Sequence, residues 1–208
     1  MSGRPFAIHI TWTCYGTWLP GDPRGYVSNT LLPDGGFEPK QNTPGTPYTQ
    51  DDTHTREQAG ENQVHPTVRL GREQAVCVAE TLVEAASARG WRIIRAATMD
   101  NHTHVVITDC PDDGPAVRRV LKGVTQAALS AQLGHPRRWW TEGGSDRYKH
   151  DHEAIEAAVG YVARQPGMLA GVDDMRPFVV EDDGSIRYLD TPSSERRPGE
   201  RPGLSRPF

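Results

Sequence analysis

The chain of 208 residues has a formal net charge of −4, 36% hydrophobic residues, 21 glycines and 17 prolines. This length predicts a single domain, and the low hydrophobic content with so much glycine and proline predicts long loops or tails outside the core. The acidic balance excludes a uniformly basic nucleic-acid binder, and the lack of a membrane-length apolar run or a signal peptide predicts a cytosolic protein with no membrane partner.

The first predicted element is a strand from Ala7 to Tyr15, where apolar and polar residues alternate. Ile8, Ile10 and Trp12 share one side, and His9, Thr11 and Thr13 share the other. Alternation of this kind indicates a strand with one buried face. His9 is therefore a candidate substrate contact if the polar face looks into a cleft, and otherwise an ordinary solvated histidine.

Residues 16–66 have no periodicity and are rich in turn-forming residues, which predicts one long loop. Two residues near its start have functional potential. Trp18 could stack on a base and Arg24 could hold a phosphate, whereas the alternative is a tryptophan that anchors the loop to the core.

The next elements are a helix and a hairpin. Apolar residues at helical spacing predict a helix over 72–89, with Gly90 as its left-handed C-terminal cap. Two strands follow, over 91–98 and 102–108, joined by a tight turn at 99–101. Because side chains two apart on a strand share a face, His102 and His104 project together and supply half of a metal site; the alternative is a solvated strand face.

A second helix is predicted over 115–133, with apolar residues at helical spacing. Arg118, Arg119 and Lys122 lie on its other side, where they would suit a phosphate backbone or form a merely solvated face. A short strand or hairpin follows within 136–149. The order strand, helix, strand, strand, helix, strand predicts an α+β fold of the ferredoxin-like kind (βαββαβ), an antiparallel sheet with helices on one face.

The last predicted helix runs from His152 to about Arg164, with Asp151 as its N-terminal cap. Tyr161 and Gln165 are four residues apart, so they lie on the same side of this helix. Combined with the histidine pair, they predict a site in which His102, His104 and the Gln165 oxygen hold Mg²⁺ or Mn²⁺. The Tyr161 hydroxyl could then attack a phosphodiester and become covalently joined to DNA.

The joint pattern resembles a known family. His102-Thr103-His104 after Met99-Asp100-Asn101, followed by Tyr161-Val-Ala-Arg-Gln165-Pro166, is similar to the HUH single-tyrosine transposases, and most similar to their REP-associated branch. The segments 18–25 and 140–145 also resemble members, and the resemblance covers about 7–169. It departs from the family at Thr103, where a bulky apolar residue is usual, and at Asp100, where proline is common.

The resemblance implies an enzyme that cuts single-stranded DNA beside hairpins, leaving a 5′-phosphotyrosine and a free 3′-hydroxyl. It assigns Tyr161 as nucleophile and His102, His104 and Gln165 as metal ligands. Asp100 would then either make the turn or add a carboxylate near the metal, and we favour the turn. The expected partner is single-stranded or hairpin DNA. The expected backbone contacts are Arg118, Arg119, Lys122, Arg147 and Lys149.

The resulting organisation is a domain over 1–169, which bears the tyrosine helix, and an extension over 170–208 that we expect to be mostly irregular. Within the extension one strand is predicted at 177–180, and 191–208 is expected to be disordered. The sequence leaves open whether the protein works as a monomer or a homodimer.

Two other functions fit parts of the pattern. The same fold could bind hairpin DNA without cutting it. Alternatively, a metal-dependent hydrolase could use water as the nucleophile, with His150 and His152 as its ligands.

Overall fold

The computed structural model describes residues 6–19 and 53–190. Its strands are β1 (Ala7–Thr13), β2 (Arg92–Thr98), β3 (His102–Thr108), β4 (Ser145–Lys149), β5 (Ala170–Asp173), β6 (Arg176–Val180) and β7 (Ile186–Tyr188). Its helices are α1 (Thr53–Glu61), α2 (Arg72–Ser87), α3 (Gly114–Leu133) and α4 (His152–Ala163). None of these helices is both long and apolar enough to span a membrane.

The seven strands form one sheet in the order β4-β1-β3-β2-β5-β6-β7, and every pairing between them is antiparallel. The prediction of a mixed fold with an antiparallel sheet is therefore confirmed. Helices cover both faces. The larger core lies between the sheet and the pair α2 and α3, and α4 packs on the opposite face against β2 and β3.

The alternation in β1 determines which of its side chains face the larger core and which face the opposite side of the sheet. Ile8, Ile10 and Trp12 are buried in the core formed with α2 and α3. His9 and Thr11 lie on the other face and are only half-buried. Hydrophobic alternation thus assigns the polar residues of β1 to the α4 side of the sheet.

The helix ends have ordinary capping chemistry, and two of the capping residues, Gly90 and Asp151, were predicted from the sequence. Asp113 and Asp151 each accept a hydrogen bond, 2.7 Å long, from a backbone N–H of the first turn of α3 and α4. Gly90 has a φ of 68°, as expected for the residue that ends the turn after α2.

Two predictions of irregular structure are wrong in part. Helix α1 lies inside the region 16–66 that was predicted to be a loop, although its residues lack an apolar stripe. The extension over 170–190 is not mostly irregular, because β5, β6 and β7 continue the sheet beyond β2. The predicted strand at 177–180 is confirmed as part of β6. The expectation for 191–208 lies outside the described residues.

Gly171 in β5 gives a test of how tightly this extension is attached. A Cβ at Gly171 would lie 2.3 Å from the backbone oxygen of Ala96 and 2.7 Å from the ring of Phe178. We expect Gly171→Ala to lower the free energy of unfolding by about 1–3 kcal/mol through overpacking. Urea denaturation measures the change.

Gly123 on α3 is the matched control, because a Cβ built there meets nothing within 4 Å apart from its chain neighbours and the backbone of its own helix. Gly123→Ala should raise stability by up to about 1 kcal/mol, the difference in helix propensity. Equal stability of the two variants would show that the strand β5 is not packed as described.

Candidate active site

The histidine pair lies at the start of β3, directly after the β2–β3 turn. Thr11 of β1 is paired with His104, and Thr13 is paired with His102. Residues directly opposite in an antiparallel pair share a face, so these side chains line the α4 side of the sheet. The rings of His102 and His104 have centroids 4.8 Å apart.

Helix α4 brings Tyr161 to this pair. Its apolar side is anchored by Ala158 and Val162, which are buried against the sheet. The Tyr161 ring lies edge-on to His104 with 5.5 Å between centroids, and 5.9 Å from the ring of His9. The side chain of Tyr161 is 51% exposed, so the ring contacts the histidines while solvent still reaches it. The predicted proximity of tyrosine and histidine is present in the structure.

His9 joins the cluster from β1. Its Nε2 lies 3.2 Å from Nδ1 of His104, and the two ring centroids are 5.2 Å apart. The sequence identified His9 as a possible substrate contact, and the structure places it beside both His104 and Tyr161. The polar alternation of β1 was the signal for this placement.

Two hydrogen bonds engage the Nδ1 atoms of the histidine pair. The Thr11 hydroxyl lies 2.7 Å from Nδ1 of His104. The Asn101 side-chain oxygen lies 2.5 Å from Nδ1 of His102. Neither partner was identified from the sequence as part of the site. The alternation of β1 had indicated only that Thr11 lies on the polar face of the strand. No spacing rule distinguishes Asn101 from an ordinary turn residue.

The imidazoles of His104 and His9 are uncharged near neutral pH. Burial, with contributions from His102 and His9, lowers the pKa of His104 to about 3. Burial, together with the charges of Lys149 and Arg147, lowers the pKa of His9 to about 4. Neutral imidazole is the form that binds a divalent metal, so this environment suits coordination.

Gln165 lies just beyond the end of α4, and its Nε2 donates to the backbone oxygen of Tyr161 over 3.3 Å. That contact uses the nitrogen of the carboxamide and leaves the oxygen as a donor atom for a cation. Within residues 6–19 and 53–190, no three His, Cys, Asp or Glu side chains converge on a metal site. A cation held by His102 and His104 would therefore need further ligands of another kind than these side chains.

The structure shows what Asp100 and Thr103, the two departures from the resembled pattern, contact. The Asp100 carboxylate accepts a hydrogen bond from Arg69 at 2.6 Å, which ties the β2–β3 turn to the segment before α2. Thr103 is fully buried on the opposite face from the histidines, and its hydroxyl lies 3.4 Å from that of Thr98. This contact of Asp100 supports the turn role that we favoured.

Arg147 and Lys149 lie on the histidine side of the sheet. Arg147 is paired with His9, and Lys149 is paired with Ala7. Arg147 is exposed and Lys149 is half-buried. Their effect on the pKa of His9 is a second sign that both cations lie close to the site.

The three cations of α3 are on the other side of the sheet. Arg118 forms an ion pair with Asp146, and both side chains are largely buried. Lys122 donates to the backbone oxygens of Thr141 and Gly143, and burial lowers its pKa to about 8. Arg119 is exposed. The structure therefore brings none of the three to the histidine cluster.

Four other residues had a predicted or alternative role: Trp18, Arg24, His150 and His152. Trp18 is half-buried in the turn after β1, and Arg24 lies outside the described residues. His150 and His152 are exposed where β4 leads into α4, and the His152 ring stacks on Phe6 with 6.1 Å between centroids.

No protein-family model matches the sequence, and no curated protein matches it. Among solved structures, the chain is similar to a REP-associated tyrosine transposase bound to a REP hairpin. The TM-score is 0.40 and the sequence identity is 10%. The match covers 76% of this chain and 65% of that one, so this chain spans slightly less than two thirds of the other.

The Arg118–Asp146 pair allows a test of which α3 cation is engaged in the fold and which is only solvated. Arg118→Ala leaves Asp146 buried without its partner, so we expect a loss of about 3 kcal/mol in the free energy of unfolding. Arg119→Ala removes an exposed cation one residue away and should change stability by less than about 0.5 kcal/mol. Urea denaturation of both variants measures this difference, and similar values would contradict the buried pairing.

The lowered histidine pKa values predict acid-sensitive stability. An unfolded histidine binds a proton near pH 6.5, whereas His9 and His104 in the folded protein do so only near pH 4 and 3. The unfolded state therefore binds more protons below about pH 6.5, and stability falls as the pH falls through this window. The contribution is fully present above pH 6.5.

His9→Gln removes one of these groups, so its stability should fall less steeply between pH 7 and pH 4.5 than that of the wild type. Unfolding midpoints in urea across this range measure the slope. His135→Gln, at an exposed position after α3, is the control and should keep the wild-type slope. A His9→Gln slope equal to that of the wild type would contradict the prediction.

Proposed function

We propose that the protein is a metal-dependent endonuclease and strand transferase of single-stranded DNA, a transposase of the HUH single-tyrosine type. It would cut beside hairpin DNA through a covalent 5′-phosphotyrosine. The observation that carries the proposal is the contact of the Tyr161 ring with His104, which itself lies against His102. These are the residues on which the sequence resemblance depends.

Tyr161 would be the nucleophile. Its oxygen forms the new bond to phosphorus, the bond from phosphorus to the 3′ oxygen breaks, and that oxygen takes up a proton to become a 3′-hydroxyl. The phenolic proton can leave to water because half of the side chain is exposed. The phosphotyrosine keeps the energy of the original bond, so a 3′-hydroxyl can reverse the step and join strands without ATP.

His102, His104 and the Gln165 oxygen would hold Mg²⁺ or Mn²⁺. When bound, such an ion neutralises charge on the phosphodiester and orients it. The fit of these residues is supported by the chemistry of the donors. The buried His104 stays neutral near pH 7, and both histidines use Nδ1 for other hydrogen bonds.

Arg147 and Lys149 would bind the DNA backbone, because they lie on the same face of the sheet as the histidines. We also propose that β1–β4 with α2 and α3 form the ferredoxin-like unit predicted from the sequence. In this arrangement β4 lies beside β1 at the edge of the sheet, where it extends the face that carries the histidines and contributes Arg147 and Lys149 to it. Arg118 and Lys122 are left out of the DNA surface because their charged groups are engaged with Asp146 and backbone oxygens.

A covalent adduct is the expected product. The substrate would be a pool of single-stranded oligonucleotides, each with a hairpin and randomised flanks, incubated with Mn²⁺. We expect 3′-labelled DNA to migrate with the protein in a denaturing gel, whereas 5′-labelled DNA is released as a shorter strand. EDTA and Tyr161→Phe should each abolish the adduct.

Tyr188→Phe is the matched control, since Tyr188 is also 40% exposed but lies on β7, bonded to Asp173. It should leave the adduct unchanged. Binding without any adduct would instead indicate a hairpin-binding module. Metal-dependent cutting that survives Tyr161→Phe and is lost in His150→Ala would indicate a hydrolase.

A further inference from the structure

We propose that Thr11 and Asn101 are positioning residues that set the tautomers of the histidine pair. Each would keep the proton of its imidazole on Nδ1, so that Nε2 carries the lone pair offered to a cation. This inference rests on the proposed function for the role of the cation. The tautomers themselves can be measured in the absence of metal.

Thr11 acts on His104 across the β1–β3 pair. The two residues are directly opposite, so the strand register fixes the hydroxyl next to the ring. The distance from Oγ1 to Nδ1 is 2.7 Å, and His104 is only 6% exposed, so water has little access to replace the contact. A threonine hydroxyl can donate or accept. If His104 binds a cation through Nε2, its Nδ1 carries the proton, and the Thr11 hydroxyl must accept the hydrogen bond from that N–H.

His9 is compatible with the same arrangement. Its Nε2 lies 3.2 Å from Nδ1 of His104, which is longer than the contact with Thr11. In the tautomer of His9 that carries its proton on Nδ1, the Nε2 atom can accept weakly from the same N–H. One proton on Nδ1 of His104 therefore satisfies both neighbours.

Asn101 acts on His102 from the β2–β3 turn. Its side-chain oxygen can only accept a hydrogen bond, so the 2.5 Å contact requires a proton on Nδ1 of His102. The two histidines thus acquire the same tautomer from two different elements, a strand and a turn. Metal-binding histidines commonly donate their second ring nitrogen in this way, and removal of the acceptor typically costs 10- to 100-fold in metal affinity.

The first measurement is the tautomeric state of the histidine rings in the ¹⁵N-labelled protein without metal, by NMR at pH 7.5. We expect the Nδ1–H form for both His102 and His104. Thr11→Val, which removes the hydroxyl at nearly constant shape, should populate the Nε2–H form of His104. Asn101→Leu should do the same for His102, whereas Asn101→Asp keeps an acceptor and should preserve the wild-type form.

The second measurement is the affinity for Mn²⁺ alone, by calorimetry. Thr11→Val should weaken it by about 10- to 100-fold, and Thr11→Ser should restore it. Thr103→Val is the matched control, because Thr103 lies between the two histidines but on the opposite face of β3. It should leave both the tautomers and the affinity unchanged.

An Nε2–H form of His104 in the wild type, or an unchanged tautomer in Thr11→Val, overturns the inference. So does a changed tautomer with unchanged Mn²⁺ affinity, and in that case the proposed function still stands. Failure of the wild-type protein to bind Mn²⁺, with both rings in the Nδ1–H form, overturns the proposed function and the metal role of these residues together.

Discussion

The pairing register of β1 with β3 is the constraint on which the candidate site depends. It places Thr11 opposite His104 and turns both toward α4, while Ile10 and Val105 turn toward the larger core. A shift of one residue would exchange the two faces and bury polar side chains among apolar ones. Hydrophobic burial on one side of the sheet therefore fixes the geometry of the histidine cluster on the other.

Helix α4 places the tyrosine at the boundary between the part of the sheet that α4 covers and the part that it leaves uncovered. Its buried residues Ala158 and Val162 pack on Ala97 and Val106, which belong to β2 and β3. Tyr161 directly precedes Val162 in the helix, so its side chain projects about 100° away from that anchor and reaches the histidines at the edge of the contact. Toward β4 the same face carries the cation Arg147 instead of apolar residues.

The sequence predicted the elements whose patterns depend on burial and capping. The alternation of β1, the cap at Asp151 and the two-residue spacing of the histidines are all local signals, and the structure contains each of them. Helix α1 was missed because it has no apolar stripe, and β5 was missed because its four residues are too few for a periodic pattern and include Gly171.

Contacts between residues distant in sequence were beyond this kind of prediction. The pairing of Arg118 with Asp146 joins residues 28 apart, and the bond of Thr11 to His104 joins residues 93 apart. Local patterns identified Arg118 only as a cation on a helix surface and Thr11 only as a polar strand residue. Which of the cations lie on the histidine side of the sheet, and which groups contact the imidazoles, follows from the sheet order and not from any local spacing.

The central claim is that His102 and His104 bind one divalent cation next to Tyr161. Anomalous diffraction from crystals of the protein soaked in Mn²⁺ tests it most directly. The account predicts a peak within about 2.5 Å of Nε2 of both histidines, the range of metal–nitrogen bonds in proteins. A peak at His150 and His152, or none at the pair in protein that is otherwise folded as described, would contradict it.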